Sequence, residues 1–279
     1  DGYLTQSWRR RTPRRLRNVS ALIALSTSSI YPETTSHGFE YASRLGFDAV
    51  EVMVGIDAAS QDFAKVRSLR DYHEIPVCAV HAPCLLITQR VWGTDPWGKL
   101  EMSAEMAHEV GAPVVVVHPP FRWQKEYAAE FIEGIASLEA QTEISFAVEN
   151  MYPWRATSKR EMEVYLPGWD VSLFGFHNLT LDVSHAATSS IDSLDLAKRM
   201  GDRLRHLHMT DGTGSAKDEH LVPGRGNQPC VELLEHLAQV GFDGSIVLEI
   251  NTRKAGTRQV READLMESLD FCREHFRPA

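Results

Sequence analysis

The stretch Val114-Val115-Val116-Val117-His118-Pro119 decides the fold. Four valines in a row show no alternation of apolar and polar residues. They read as a strand buried on both faces, the habit of a parallel sheet covered by helices. The run then ends on an imidazole. Working outward, the same ending recurs. Val77-Cys78-Ala79-Val80 runs into His81, Phe146-Ala147-Val148 into Glu149, and Leu179-Thr180-Leu181 into Asp182. Leu204-Arg205-His206-Leu207 runs into His208, and Ile246-Val247-Leu248 into Glu249. A metal-binding side chain at the same end of parallel strands gathers all six at one end of a barrel.

The rest of the chain scans as strand-then-helix units. Strands are expected at 19–26, 49–54, 76–81, 113–118, 145–149, 178–183, 204–209 and 245–250. Helices are expected at 36–46, 60–73, 96–110, 125–141, 158–166 (short), 190–200, 229–240 and 258–276. Glycines such as Gly46 and Gly111 stop helices, and Pro76 and Pro113 open strands where a missing N–H is tolerated. Eight alternations predict an α/β fold, a single (β/α)8 TIM barrel of parallel strands. A doubly wound open sheet is the runner-up. It usually carries a glycine-rich loop after its first strand, and Ser26-Thr27-Ser28-Ser29-Ile30 contains no glycine.

The 279 residues, 43% hydrophobic and 24% charged, suit one such barrel, typically about 250 residues long. We expect an Arg-rich arm over 1–18 and the barrel over 19–279. Residues 1–17 carry six arginines and one aspartate, net +5, which leaves −14 for the remainder of the −9 chain. So acidic a body argues against nucleic acid as the partner. The arm followed by Val19-Ser20-Ala21-Leu22-Ile23-Ala24-Leu25 superficially resembles a secretory signal, but the apolar run is short and lacks a small-residue cleavage site. Four cysteines (Cys78, Cys84, Cys230, Cys272) without a CxxC pair fit a reduced, cytoplasmic setting, and no run approaches a membrane span.

At the carboxyl ends of the strands and in the loops beyond them stand His81, His118, Glu149, Asp182, His185, His208, Asp218, His220 and Glu249. Imidazoles and carboxylates together suit zinc or manganese. Nine such groups exceed the needs of one ion, so one to three divalent ions per chain are expected, with Glu149 as the bridging carboxylate. Three carboxylates at the ends of apolar runs would be costly to bury without a cation. His206 has the parity of His208 and lies one layer deeper, a structural position. Glu51 either faces the site or pairs inside the barrel. His37, His73, His108, His177 and His236 fall on helices or loops and are left out of the candidate site.

These residues resemble the xylose-isomerase-like barrel superfamily, which includes sugar isomerases, sugar epimerases and endonuclease IV-like apurinic-site endonucleases. The likeness rests on His81-Ala82-Pro83, Val117-His118-Pro119, Val148-Glu149-Asn150, Leu181-Asp182-Val183-Ser184-His185 and His208-Met209-Thr210-Asp211. Asp218-Glu219-His220, Pro223-Gly224-Arg225-Gly226 and Leu248-Glu249 complete it. The endonuclease branch is similar in ligand inventory, and its trinuclear zinc site implies a role for all nine residues. That branch also carries an Asn-Pro-Arg-like element after strand 2, where this chain reads Glu51-Val52-Met53-Val54-Gly55-Ile56-Asp57, similar to the sugar-isomerising relatives. Ketose 3-epimerases place a substrate-binding glutamate six residues after the first metal glutamate and an arginine six after the metal histidine. Here those places hold Arg155 and Gly214.

Two reactions follow from the resemblance. The first is a metal-dependent isomerase or epimerase of a small sugar or sugar phosphate, with Glu149 and Glu249 moving the proton. Arg155, Lys217 and Arg225 would hold a phosphate, and Trp92, Trp97, Trp123 and Trp154 would supply an apolar wall. The second is a multinuclear zinc phosphodiesterase of the endonuclease type, the one reading with a nucleic-acid partner. Homo-oligomers fit either reaction.

Overall fold

The computed structural model describes residues 21–157 and 160–277. The arginine arm and the first two residues of the expected first strand lie outside them.

Eight parallel strands close into a barrel. They are β1 (Leu22–Ser26), β2 (Ala49–Met53), β3 (Val77–His81), β4 (Val114–Val117), β5 (Ser145–Glu149), β8 (Asn178–Asp182), β9 (Leu204–Met209) and β10 (Ser245–Leu248). Around the ring the order is β1-β10-β9-β8-β5-β4-β3-β2, chain order closed on itself. Helices α1 (Thr35–Leu45), α2 (Ala58–Gln61), α3 (Phe63–His73), α4 (Pro96–Val110) and α5 (Lys125–Thr142) fill the first crossovers. Helices α6 (Val183–Thr188), α7 (Ser193–Met200), α8 (Cys230–Gln239) and α9 (Arg258–His275) follow the later strands. Local chemistry sets the ends. Asp95 caps α4 through Trp97 and Gly98 amides with Pro96 in the first turn, and Gly111 ends it at φ 77°.

Alternation along each strand sorts side chains between two cores. Outward residues such as Leu25, Val115, Phe146, Leu181 and Leu248 join the large core under the helices. Inward residues form a small one of Ala24, Ala49, Ala79, Val114, Val116, Ala147 and Val247. Small side chains in this inner layer leave room for long polar ones. His81, His118, Glu149, Asp182, His208 and Glu249 share the inward parity and come next along their strands, so they form the layer above.

Two expectations change. Residues 158–166 are not helical; β6 (Trp154–Thr157) and β7 (Arg160–Met162) pair antiparallel, with Trp154 opposite Met162. The segment has a period of two, with Met162 and Val164 alternating with Glu161 and Glu163. Val164 packs with Phe121, Met151 and Tyr165 beside Trp154, a satellite core that a helix would break. The helix expected over 60–73 is split, because Asp62 caps a new start through the Lys65 amide. Among the described residues, no helix is long and apolar enough to cross a membrane and no cysteine is in a disulfide.

Candidate metal centre

All nine expected ligands meet at the carboxyl end of the barrel. Glu149 stands at the middle, 1% exposed. Its Oε2 faces His81 Nε2 at 3.2 Å and His118 Nε2 at 3.1 Å. Its Oε1 faces His185 Nδ1 at 3.1 Å and His208 Nδ1 at 3.4 Å. One carboxylate serving different imidazoles with its two oxygens has the disposition of a bridging ligand. His208 Nδ1 also lies 2.9 Å from Glu249 Oε2 and 3.6 Å from Asp182 Oδ2. The chain of contacts continues outward, with His185 Nε2 at 3.3 Å and His220 Nε2 at 2.9 Å from Asp218 Oδ2.

Most of these side chains are aimed by a second contact. His81 Nδ1 donates to the Ala82 carbonyl, His185 Nδ1 to that of Asn150 and His220 Nδ1 to that of Glu249. Asp182 is the N-cap of α6, so its Oδ1 accepts the His185 amide at 2.7 Å and leaves Oδ2 for the centre. This helix was not legible beforehand. Asn150 fixes Asp182 from behind through its amide and carbonyl. Ser184 Oγ donates to Asp218 Oδ1 at 2.7 Å and accepts the Glu219 and His220 amides. Ser28 Oγ donates to Glu249 Oε1 at 3.0 Å. Sequence reasoning passed over these two serines, for which proximity to the ligands in the fold is the main signal.

The electrostatics are those of a carboxylate-rich bowl. Burial pushes the Glu149 carboxyl up, yet His208 and His118 outweigh it and hold it well below the usual range. Asp218 is likewise held low by His220 and His185 against burial. Burial pushes the His220 imidazole down, but Asp218 and Asp182 raise it to about 10. His208 and His185 are raised well above the ordinary value against the same opposition from burial. His118 is lowered, burial dominating.

Does this donor set fit a cation? Asp182 Oδ2 and His208 Nδ1 are buried atoms without a hydrogen-bond partner among the described residues. His208 Nδ1 stands 2.9–3.6 Å from oxygens of Glu249, Glu149 and Asp182. Neighbouring ligands of one ion with bonds of about 2.1 Å sit roughly 3.0–3.5 Å apart. Ligand atoms also cluster in the sets Glu149–Asp182–His208, His81–His118–Glu149 and Asp182–His185–His220. The residues fit a divalent cation, and they offer more than one seat.

The other candidates are scattered. Trp123, 54% exposed, stacks on Phe121 at 4.6 Å and lines a cavity of about 250 Å3 with His118 and Lys99. Trp154 meets Trp123 and Phe121 edge-on. Trp92 and Trp97 are structural; Trp92 bonds the Gln61 carbonyl, and Trp97 packs on Tyr127. Arg155 pairs with Glu161 along the hairpin backbone. Lys217 is exposed beside Asp218. Arg225 is turned away, its guanidinium on Asp264 and Glu267 of α9. A second cavity of about 240 Å3 is lined by Ser28, Tyr31, His220, Glu249 and Arg253. Glu51 pairs inside the barrel, with His206 and His208.

An uncharacterised protein of Mycobacterium tuberculosis is 48% identical over 272 residues, covering 91% of this chain and 97% of its own. A protein named fructoselysine 3-epimerase, from Escherichia coli O157:H7, is 22% identical over 247 residues, covering 77% of this chain and 85% of its own. The crystal structure of a D-tagatose 3-epimerase-like protein superposes with a TM-score of 0.65 at 24% identity, over 91% of this chain and 98% of that one. Residues 39–275 match one family throughout, and this chain belongs to the xylose isomerase-like TIM barrels.

Proposed function

We propose that this chain isomerises or epimerises a small sugar or sugar phosphate, using a divalent cation held by Glu149, Asp182, His208 and Glu249. One observation carries the reading: oxygens of three carboxylates from three strands surround His208 Nδ1 at the spacing of ligands sharing one ion. Two relatives named as epimerases or epimerase-like support it. Zinc or manganese at this position would supply positive charge to a carbonyl and its neighbouring hydroxyl, which acidifies the carbon between them.

The chain's own groups do the rest. Glu249, its side chain 12% exposed, opens onto the second cavity and is the carboxylate placed to take a proton from a bound molecule. Glu149, given a proton by the neighbouring His185 imidazolium, would protonate the carbon from the other side of the mouth, while the proton taken by Glu249 leaves to solvent through the cavity. Trp123 and Trp154 offer an apolar wall. With Arg225 engaged by α9, phosphate binding falls to Lys217 and Arg155. Arg155 and Gly214 stand where ketose 3-epimerases carry their glutamate and arginine, so the substrate is a different sugar or a polyol.

The meeting of nine candidate ligands, with Asp218 and Glu249 joined through His185, His220 and His208, favours a second reading, a trinuclear zinc phosphodiesterase. Elemental analysis joined to an activity screen separates the two. One ion per chain with manganese- or zinc-supported ketose–aldose exchange is expected; three zinc ions with cleavage of abasic DNA would overturn the choice. Glu249→Gln is expected to abolish turnover in a folded chain, and full activity in that variant would exclude the proton transfer.

A further inference from the structure

The geometry points to Glu51 and His206, one layer beneath the centre, as positioning residues that hold His208 with its Nδ1 toward the cation. This rests on the metal reading above. Glu51 lies on β2 and His206 and His208 on β9, three strands away around the ring, so the carboxylate reaches across the barrel. All three side chains are fully buried. Glu51 Oε2 lies 2.8 Å from His206 Nε2 and 3.1 Å from His208 Nε2. A carboxylate oxygen accepts, so each Nε2 carries its hydrogen into this contact. His208 is left with Nδ1 for ligation, the atom that faces Glu249, Glu149 and Asp182.

The arrangement reverses that of its neighbours. His81, His185 and His220 each spend Nδ1 on a main-chain carbonyl. Among the described residues no main-chain carbonyl does this for His208; its ring is turned over and a carboxylate takes the other nitrogen. The inner layer is trimmed to admit the device, since Ala49 and Ala79 flank Glu51 along β2 and on β3. Stability does not explain a carboxylate here. Apolar residues of similar volume commonly replace a buried ion pair without loss, whereas orienting a ligand imidazole is what a carboxylate behind it does. His206 completes the device by sharing Oε2, a second donor that holds the carboxylate in place.

The test compares Glu51→Gln and Glu51→Met with wild type. Zinc titration against a chromogenic chelator is expected to show affinity about tenfold weaker for Gln, which still accepts one hydrogen bond, and nearer a hundredfold weaker for Met. In metal-free wild type, ¹H–¹⁵N spectra of the imidazoles are expected to show a His208 Nε2–H slow to exchange with solvent, lost in Glu51→Met. Wild-type zinc affinity in folded Glu51→Gln and Glu51→Met would overturn the proposal. So would anomalous scattering that places an ion between Glu51, His206 and His208. If Glu51→Met does not fold, Glu51→Gln carries the affinity comparison alone. A wild-type chain that binds no zinc and no manganese would sink the metal reading instead, and the Nε2–H signal would still decide whether Glu51 holds the ring.

Discussion

Asp182 Oδ2 and His208 Nδ1 face each other across 3.6 Å, both buried and neither with a hydrogen-bond partner among the described residues. Two buried polar atoms left this way would cost about 1–3 kcal/mol each. A cation held by these two residues would remove that cost.

Metal loading is therefore expected to stabilise the fold. At a free concentration one hundred times the dissociation constant the gain is about 2.7 kcal/mol, read as a rise in Tm that a chelator reverses. Asp182→Asn, which keeps the α6 cap but weakens the ligand, should lose most of that rise.

Protons compete with the metal. In the metal-free protein His220 is raised to about 10 by Asp218 and Asp182 against burial. A raised imidazole stabilises the fold fully below its unfolded value near 6.5, and that contribution is lost as pH climbs through about 10. Metal-free protein should thus lose Tm between pH 6.5 and 10, while zinc affinity rises over the same interval as the protons leave. Calorimetry in buffers of different ionisation enthalpy would show proton release on binding.

Ser28 is worth testing because its hydroxyl holds the more exposed glutamate in place. Removing a hydrogen bond to a charged group costs about 1.5 kcal/mol, so Ser28→Ala should lower kcat/KM about tenfold with the fold intact.

The loop that delivers Asp218 and His220 hangs on Asp211. Its buried carboxylate accepts four amides, from Gly212, Gly224, Gly226 and Gln228 at 2.8–3.1 Å. A Cβ on Gly226 would stand 2.2 Å from Asp211 Oδ1. Asp211→Ala should destabilise the fold by about 3 kcal/mol in urea denaturation, and Gly226→Ala should weaken zinc binding by displacing the loop.

Much of this was legible in linear order. Val114 to Val117 and their counterparts carry no alternation, which marks doubly covered parallel strands, and eight units close a ring. Parity then places His118, Glu149 and Asp182 inside and His206 below His208. The hairpin at Trp154 to Met162 was missed because its period of two is brief and half charged. Its stability comes from packing against Phe121, which only folding brings near.

The sequence by itself determined the barrel and which side chains point into its mouth, because both follow from local periodicity. Tertiary structure alone decided how those side chains are aimed: Glu51 beneath His208, 157 residues away; Ser28 on Glu249, 221 residues away; Arg225 drawn off to α9. Periodicity fixes the direction in which a side chain leaves its strand. The atom it meets depends on closing the ring, which sets strands distant in sequence a few ångströms apart.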